Sequence, residues 1–349
     1  MHLVMALALF IGVYRITKAE WGIQAALWSA FIYAISLPQF LFYWSFFLKM
    51  EASIVASLFA MHAYAKKEWR AAIYAALAGI AHPLPIVPLV MAFMITSITN
   101  KDARRGFYTS LAGIAGTLIF NGNALKGYSA YVAAYTRGTY APAAEQFLAG
   151  HFVGFSFYHD ALMLFYVPFA LISLSWCITK NKMPIIGWYA LINLAVISVN
   201  AAFHNRFIIL FDISCIILSG HAFAVFTHKQ QKNKVNRILF ITAIAFLAVY
   251  SLRQSARMEP LVTDAEFNEL ISMQGNYSTM PLFINSSTYR QFVAGYTNHP
   301  VILSSFNDEP WKSLKTASLI YNARRSTPIN PKNNSHITQI SERFFKYIP

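Results

Sequence analysis

The sequence predicts an all-α polytopic membrane protein, with about eight spans and one broken pair of short helices, that ends in a small α/β module. Three observations carry this. Of 349 residues, 56% are hydrophobic and only 12% charged, with a mean hydropathy of +0.43, a balance foreign to a soluble globule. Apolar runs such as 157–179, 184–202 and 207–227 approach or reach the roughly 20 residues needed to cross hydrocarbon. Fourteen of the eighteen Lys and Arg residues in the first 251 positions fall in five short clusters between apolar runs: Arg15/Lys18, Lys66/Lys67/Arg70, Lys101/Arg104/Arg105, Lys180/Lys182 and Lys229/Lys232/Lys234/Arg237. Short basic loops resist translocation, so all five are expected on the cytoplasmic side.

Threading the clusters on that side gives each element in order. Residues 3–14 run inward. At about 20 Å of helix they are short for a span, with neither a basic leader nor a small-residue cleavage site after them. An upstream segment with an acidic outer loop is therefore expected. Residues 22–37 return outward and break at Pro38, which lacks an amide donor. The aromatic stretch 39–48 suits an outer interface, and 51–65 run inward. Residues 70–99 lie between two basic clusters yet amount to only about 45 Å of helix, with His82, Pro83, Pro85 and Pro88 in the middle. Two short helices, 71–81 and 85–98, satisfy both facts, with His82-Pro83 at the apex. Non-helical backbone at such depth needs protein or a water-filled cavity to satisfy it, and a cavity is expected there.

Residues 106–121 cross outward, and 122–156 form a long outer segment. Four spans follow, 157–179, 184–202, 207–227 and 238–251, which leaves 252–349 outside. The expected domains are a transmembrane domain over 1–251, a small periplasmic α/β module over 252–325 and a poorly ordered tail over 326–349. Within the module, 264–272, 287–296 and 309–323 read as helices, and 281–285 and 300–304 as strands.

A net charge of +14 would suggest nucleic acid in a soluble protein. Here the basic residues flank apolar runs, so anionic headgroups of the bilayer are the expected partner, with no nucleic acid. Cys177 and Cys215 sit in apolar runs, with no disulfide or metal spacing. Neither a cofactor nor a metal is expected. The sequence contains no Walker loop, dinucleotide fingerprint, HExxH or GxSxG.

Charged and imidazole groups within apolar segments are costly, which marks them as functional candidates. Lys49 and Glu51 open a span at the outer boundary, where snorkelling is the competing reading. His82 sits at the proline-broken apex. Arg206, with His204 beside it, opens a span at the outer face, and its planar fork suits a phosphate or pyrophosphate. Tyr128, Tyr131 and Tyr135 recur at helical spacing with Arg137 close behind, either an aromatic belt or a sugar-stacking, phosphate-binding surface. His159-Asp160 could serve as acid–base machinery. Asp212, inside its apolar run, requires a partner.

The stretch FFLKMEASIVASLFAMHAYAKKEWRAAIYAALAGIAHPLPIVPLVMAF (46–93) resembles bacterial polysaccharide polymerases of the Wzy and EpsG types: a basic residue opening a span, a basic inner loop, then a small-residue helix ending in His. The span opened by Arg in FHNRFIILFD and the Tyr-rich loop are similar too. The layout also resembles the polytopic GT-C glycosyltransferases that use polyprenyl-phosphate sugars and often end in an extracytoplasmic module. The likeness covers about residues 40–250. It implies an enzyme of the bacterial inner membrane, its C-terminal tail periplasmic, that uses a polyprenyl-linked sugar in cell-surface glycan synthesis alongside other envelope glycan assembly proteins. Lys49, His82 and Arg206 take the places of the family's span-opening basic residue, helix-ending His and later Arg. Glu51, His82 and Arg206 are then the catalytic candidates, and Lys49, Tyr128, Tyr131, Tyr135, Arg137, His159, Asp160 and His204 the substrate-binding ones. The alternative is a transporter or flippase of lipid-linked sugars or small molecules, which a proline-broken hairpin also fits.

Overall fold

A computed structural model describes residues 2–36, 38, 39, 42, 48–99, 103–136, 163–180, 182–199, 204–230, 238, 241, 242, 245, 246, 248–250, 253, 263–273, 276, 280–284, 293, 297, 299, 301–303, 312, 317–322 and 336–349. The chain divides into two compact units, Met1–Met258 and Glu259–Pro349.

The first unit is helical among the described residues. Its helices are α1 (His2–Trp21), α2 (Ile23–Ile35), α3 (Leu48–Ala65), α4 (Arg70–Ala81), α5 (Pro83–Thr99), α6 (Ala103–Thr136), α7 (Met163–Thr179), α8 (Ile185–Ser198) and α9 (His204–Gln230). Helix α1 runs through Arg15 and Lys18 rather than stopping at residue 14. Ala, Leu and Lys are strong helix formers, and the break comes only at Gly22, whose φ of +87° suits a residue without Cβ. Helix α6 likewise runs to Thr136, past the expected boundary at 121. Its distal half, NALKGYSAYVAAYT, contains no proline and is rich in alanine. The rest of the expected outer segment lies outside the described residues, as does most of the aromatic stretch 39–48, in which Gln39 and Phe42 are helical and buried. The described residues of 238–251 are helical.

Helix α9 is the centre of this unit and packs against α1, α2, α7 and α8. Every residue from Phe207 to Gly220 is buried, as expected of a helix that is apolar on all sides. Among the described residues it is also the one helix, over Arg206–His228, long and apolar enough to cross a membrane. Ile23–Ile35, Arg70–Ala81, Pro83–Thr99, Tyr166–Thr179 and Ile185–Ser198 are apolar but shorter.

Backbones approach closely where the sequence places small residues. A Cβ on Gly79 of α4 would fall 2.5 Å from the Gly113 carbonyl of α6, and one on Gly220 of α9 would fall 2.6 Å from the Ala25 carbonyl of α2. Such contacts let dispersion act between whole helices.

Among the described residues, members of several basic clusters contact neighbouring helices. The His62 ring bonds the Arg15 carbonyl at 3.1 Å, and the Arg105 guanidinium lies 4.4 Å from the Tyr64 ring centroid. Trp21 stacks on His221, to which Lys180 is close enough to act on it electrostatically.

The second unit carries α10 (Asp264–Ser272), β1 (Leu282–Ile284), β2 (Val301–Leu303), β3 (Ser318–Tyr321), β4 (Ile337–Gln339) and β5 (Phe344–Tyr347). The sheet order is β2-β1-β3-β5-β4; β1 is parallel to β2 and β3, and β5 antiparallel to β3 and β4. Two expectations are corrected here. Residues 318–321, expected as part of a helix, form the strand β3, because Leu319, Ile320 and Tyr321 fill both faces of the sheet. The expected poorly ordered tail supplies β4 and β5, with Phe344, Phe345 and Tyr347 buried. Helix α10 opens with a capping box: Thr263 Oγ1 accepts from the Glu266 amide at 3.2 Å, and Glu266 Oε2 accepts from the Thr263 amide at 2.9 Å. Of the expected helix 287–296, Val293 is helical, as is Thr297 just beyond it.

Candidate functional site

The site is built at the end of the first unit away from the basic clusters, where α3 and α9 begin and α4 meets α5. His82 is extended (φ −161°, ψ 134°) and stops α4, since a residue before proline is excluded from the helical region. A helix end exposes carbonyls without intrahelical partners, and the protein satisfies them. Ser53 Oγ of α3 donates to the Ala78 carbonyl at 2.8 Å and to the His82 carbonyl at 3.2 Å. Asn121 Nδ2 of α6 donates to the carbonyls of Gly79 and Ile80 at 2.7 and 3.0 Å. The expectation of a water-filled cavity at the apex therefore loses its premise: side chains meet the backbone demand.

On the other side of the break, His82 Nδ1 accepts the Leu84 amide at 3.1 Å. A backbone amide can only donate, so Nδ1 presents its lone pair and a neutral ring carries its proton on Nε2. Arg206 and Lys49 lie close enough to act on this half-buried ring electrostatically. Lys49 is exposed, and Arg206 and His204 are half-buried in the first turn of α9. Two cations and an imidazole from three parts of the fold thus lie within electrostatic reach, chemistry that suits an anionic oxygen.

Glu51 separates from its neighbour Lys49. It is buried, with 1% of its surface exposed, in the first turn of α3, where the helix dipole favours a carboxylate. Its charge and that of Asp212 both reach Tyr33. Asp212 is fully buried. Its Oδ2 accepts from Ser36 Oγ at 3.0 Å and Gln39 Nε2 at 2.6 Å, and its Oδ1 from the Tyr166 hydroxyl. Gln39 Nε2 also reaches the Ile209 carbonyl at 3.4 Å. This knot joins the end of α2, α7 and α9 just below Arg206.

The structure thus brings Lys49, His82 and Arg206 together, with Glu51 and His204 on neighbouring first turns. Tyr128, Tyr131 and Tyr135 lie in the distal part of α6. Arg137, His159 and Asp160 lie outside the described residues. Asp212 reads in the sequence as a buried charge needing partners, but Ser36, Gln39 and Tyr166 lie too far along the chain to be read there as those partners. Ser36 and Gln39 flank Pro38 as His82 precedes Pro83, and polar residues beside a proline in an apolar run were the signal available. Among the described residues no three His, Cys, Asp or Glu side chains gather as metal ligands.

No protein-family model and no curated protein matches the sequence. Solved structures do match. The chain is similar in fold to an archaeal oligosaccharyltransferase. The Archaeoglobus fulgidus oligosaccharyltransferase in complex with Zn and sulfate aligns with a TM-score of 0.56 at 15% identity, covering 87% of this chain and 50% of the other. The same oligosaccharyltransferase tethered through a disulfide to an acceptor peptide containing the NVT sequon aligns with a TM-score of 0.53, again at 15% identity, over 87% of this chain and 52% of the other. The chain therefore spans about half the length of the oligosaccharyltransferase. At this identity the likeness concerns the fold alone.

Proposed function

We propose that this chain is an integral-membrane glycosyltransferase of the GT-C type, or a polysaccharide polymerase, that transfers sugar from a polyprenyl-linked donor at the periplasmic face of the bacterial inner membrane. The observation that carries the reading is the convergence of Lys49, His82 and Arg206 at one end of a fold shared with an oligosaccharyltransferase. In this reading the helices of the first unit, including the shorter apolar ones, make up about eight spans plus the α4–α5 hairpin. The basic end faces the cytoplasm, and the α/β unit lies outside.

The reaction displaces a polyprenyl phosphate or pyrophosphate from the anomeric carbon. Arg206 grips the phosphate with its planar fork, and Lys49 adds a mobile positive charge. His82 donates from Nε2 to the same group, because Nδ1 is engaged by Leu84. Such preorganised donors act on negative charge that grows on the leaving oxygen. Activation of the acceptor hydroxyl falls to Glu51. Tyr128, Tyr131, Tyr135, Arg137, His159, Asp160 and His204 are the proposed sugar- and substrate-binding residues.

Substitution at Arg206 tests this. Arg206→Lys keeps the charge and loses the fork, whereas Arg206→Ala loses both. Glycan production should fall in both and further in the alanine form, by about 10²–10³, at unchanged membrane levels. His82→Ala should also abolish production without loss of protein. Normal glycan in both the Arg206→Lys and His82→Ala forms would refute the site and favour the transporter reading.

A further inference from the structure

The opposite end of α3 presents a second arrangement of cations. Arg15, on α1, holds its guanidinium 5.7 Å from the centroid of the Phe59 ring of α3, a cation–π contact that limits where a long side chain can wander. Phe59 is itself backed by Tyr74 of α4, ring centroids 5.7 Å apart. One turn further along α3, the His62 ring bonds the Arg15 carbonyl at 3.1 Å. A carbonyl can only accept, so Nδ1 carries the proton, and the ring fastens α1 to α3 beside the guanidinium. Lys66, exposed in the turn that follows α3, acts electrostatically on the same His62 ring, as does Arg15. Glu68 is the acidic group in reach of it. Just beyond, Trp69 stands 72% exposed and Ile73 45% exposed, an aromatic and an aliphatic side chain next to the charges.

A guanidinium pinned on a ring, a flexible ammonium beside it and exposed apolar groups next to both match a phosphodiester attached to acyl chains. Arg supplies the directional fork and Lys the point charge, while tryptophan settles where headgroups meet hydrocarbon. His62 lies 13 residues beyond Lys49 on the same helix, about 20 Å along its axis, so the site is distinct from the proposed donor site.

We propose that Arg15 and Lys66, ordered by His62 and Phe59, bind the phosphodiester headgroup of an anionic phospholipid at the cytoplasmic end of the helical unit. This rests on the membrane reading above, and a single preparation separates the two. The full chain is reconstituted into nanodiscs of phosphatidylcholine containing phosphatidylglycerol, and co-purifying lipid is counted by native mass spectrometry after release into mild detergent. The wild-type chain should retain phosphatidylglycerol over phosphatidylcholine by at least tenfold. The Arg15→Gln/Lys66→Gln form should lose that preference, while Lys67→Gln/Arg70→Gln, which removes the same charge from neighbouring positions, should keep it.

Equal loss in both double variants would mean diffuse attraction and overturn the site. Displacement of phosphatidylglycerol by equimolar undecaprenyl phosphate, with the same dependence on Arg15 and Lys66, would reassign it to a carrier lipid and overturn the phospholipid assignment. Failure of the wild-type chain to enter nanodiscs would overturn the membrane reading, whereas entry without headgroup preference would overturn this proposal alone.

Discussion

Removing the Asp212 carboxylate should be among the most damaging single changes to the helical unit. Tyr166, Gln39 and Ser36 all donate to it, and it is completely buried. A hydrogen bond to a charged group contributes about 1.5–3 kcal/mol, and a buried donor left without an acceptor costs about 1–3 kcal/mol. Asp212→Ala strands three donors at once. The Ser36 and Tyr166 hydroxyls can rotate toward other acceptors, so the separate costs do not add, and the expected loss is about 3–5 kcal/mol. Tyr166→Phe leaves two donors in place and should cost about 1.5–3 kcal/mol. The double variant should then fall short of the sum by about 0.5–3 kcal/mol, since both singles disrupt one network. Denaturant titration of the purified protein in mild detergent, followed by tryptophan fluorescence, reads all four corners of the cycle. Strict additivity, or a loss below about 1 kcal/mol for Asp212→Ala, would refute the hub.

Gly220→Leu should destabilise by about 1–3 kcal/mol or more, because its Cβ meets the Ala25 backbone and α2 would have to move; a thermal melt checks it. Thr263→Ala should remove the capping box and cost about 1 kcal/mol, measured on the full chain by hydrogen exchange over α10. Arg343→Ala leaves Glu266, 2% exposed, without the guanidinium now 3.2 Å away, and the same exchange experiment should show faster opening of α10. A reporter active only outside the cytoplasm should fail when fused after Arg70, Arg105 or Lys182 and work after Ser251; activity at Arg105 but not at Arg70 would replace the α4–α5 hairpin by a single crossing.

The elements read most closely from the sequence are those with hard punctuation. Pro83 and His82 end α4 and start α5 within a residue or two of expectation, because proline acts through its own ring whatever surrounds it. Helices α1 and α6 ran past their expected ends because those ends were inferred from charge and glycine, which mark interfaces but leave the backbone free to continue. In the small unit, Ser318–Tyr321 became a strand because its neighbours on both sides decide the matter, and local propensity does not contain them. The cations of the candidate site were legible as charges in apolar context, whereas their convergence was not. Lys49, His82 and Arg206 are far apart along the chain, and only the packing of α3, α4 and α9 determines that they meet. Ser36 and Gln39 were invisible as partners of Asp212 for the same reason.

The hydrogen bonds from Ser53 and Asn121 to the end of α4 bear on what a ligand must do on arrival. A helix that stops in open solvent frays, and any group it carries wanders until something holds it. Here the last turn of α4 is fastened to α3 on one side and to α6 on the other, so the His82 ring is aimed before a substrate appears. Binding free energy need not be spent on ordering it, and that saving goes directly into affinity. The same fastening removes the apex as a hinge. Any closing movement over a ligand at this end would come from some other part of the chain, with α4 as the fixed wall against which it closes.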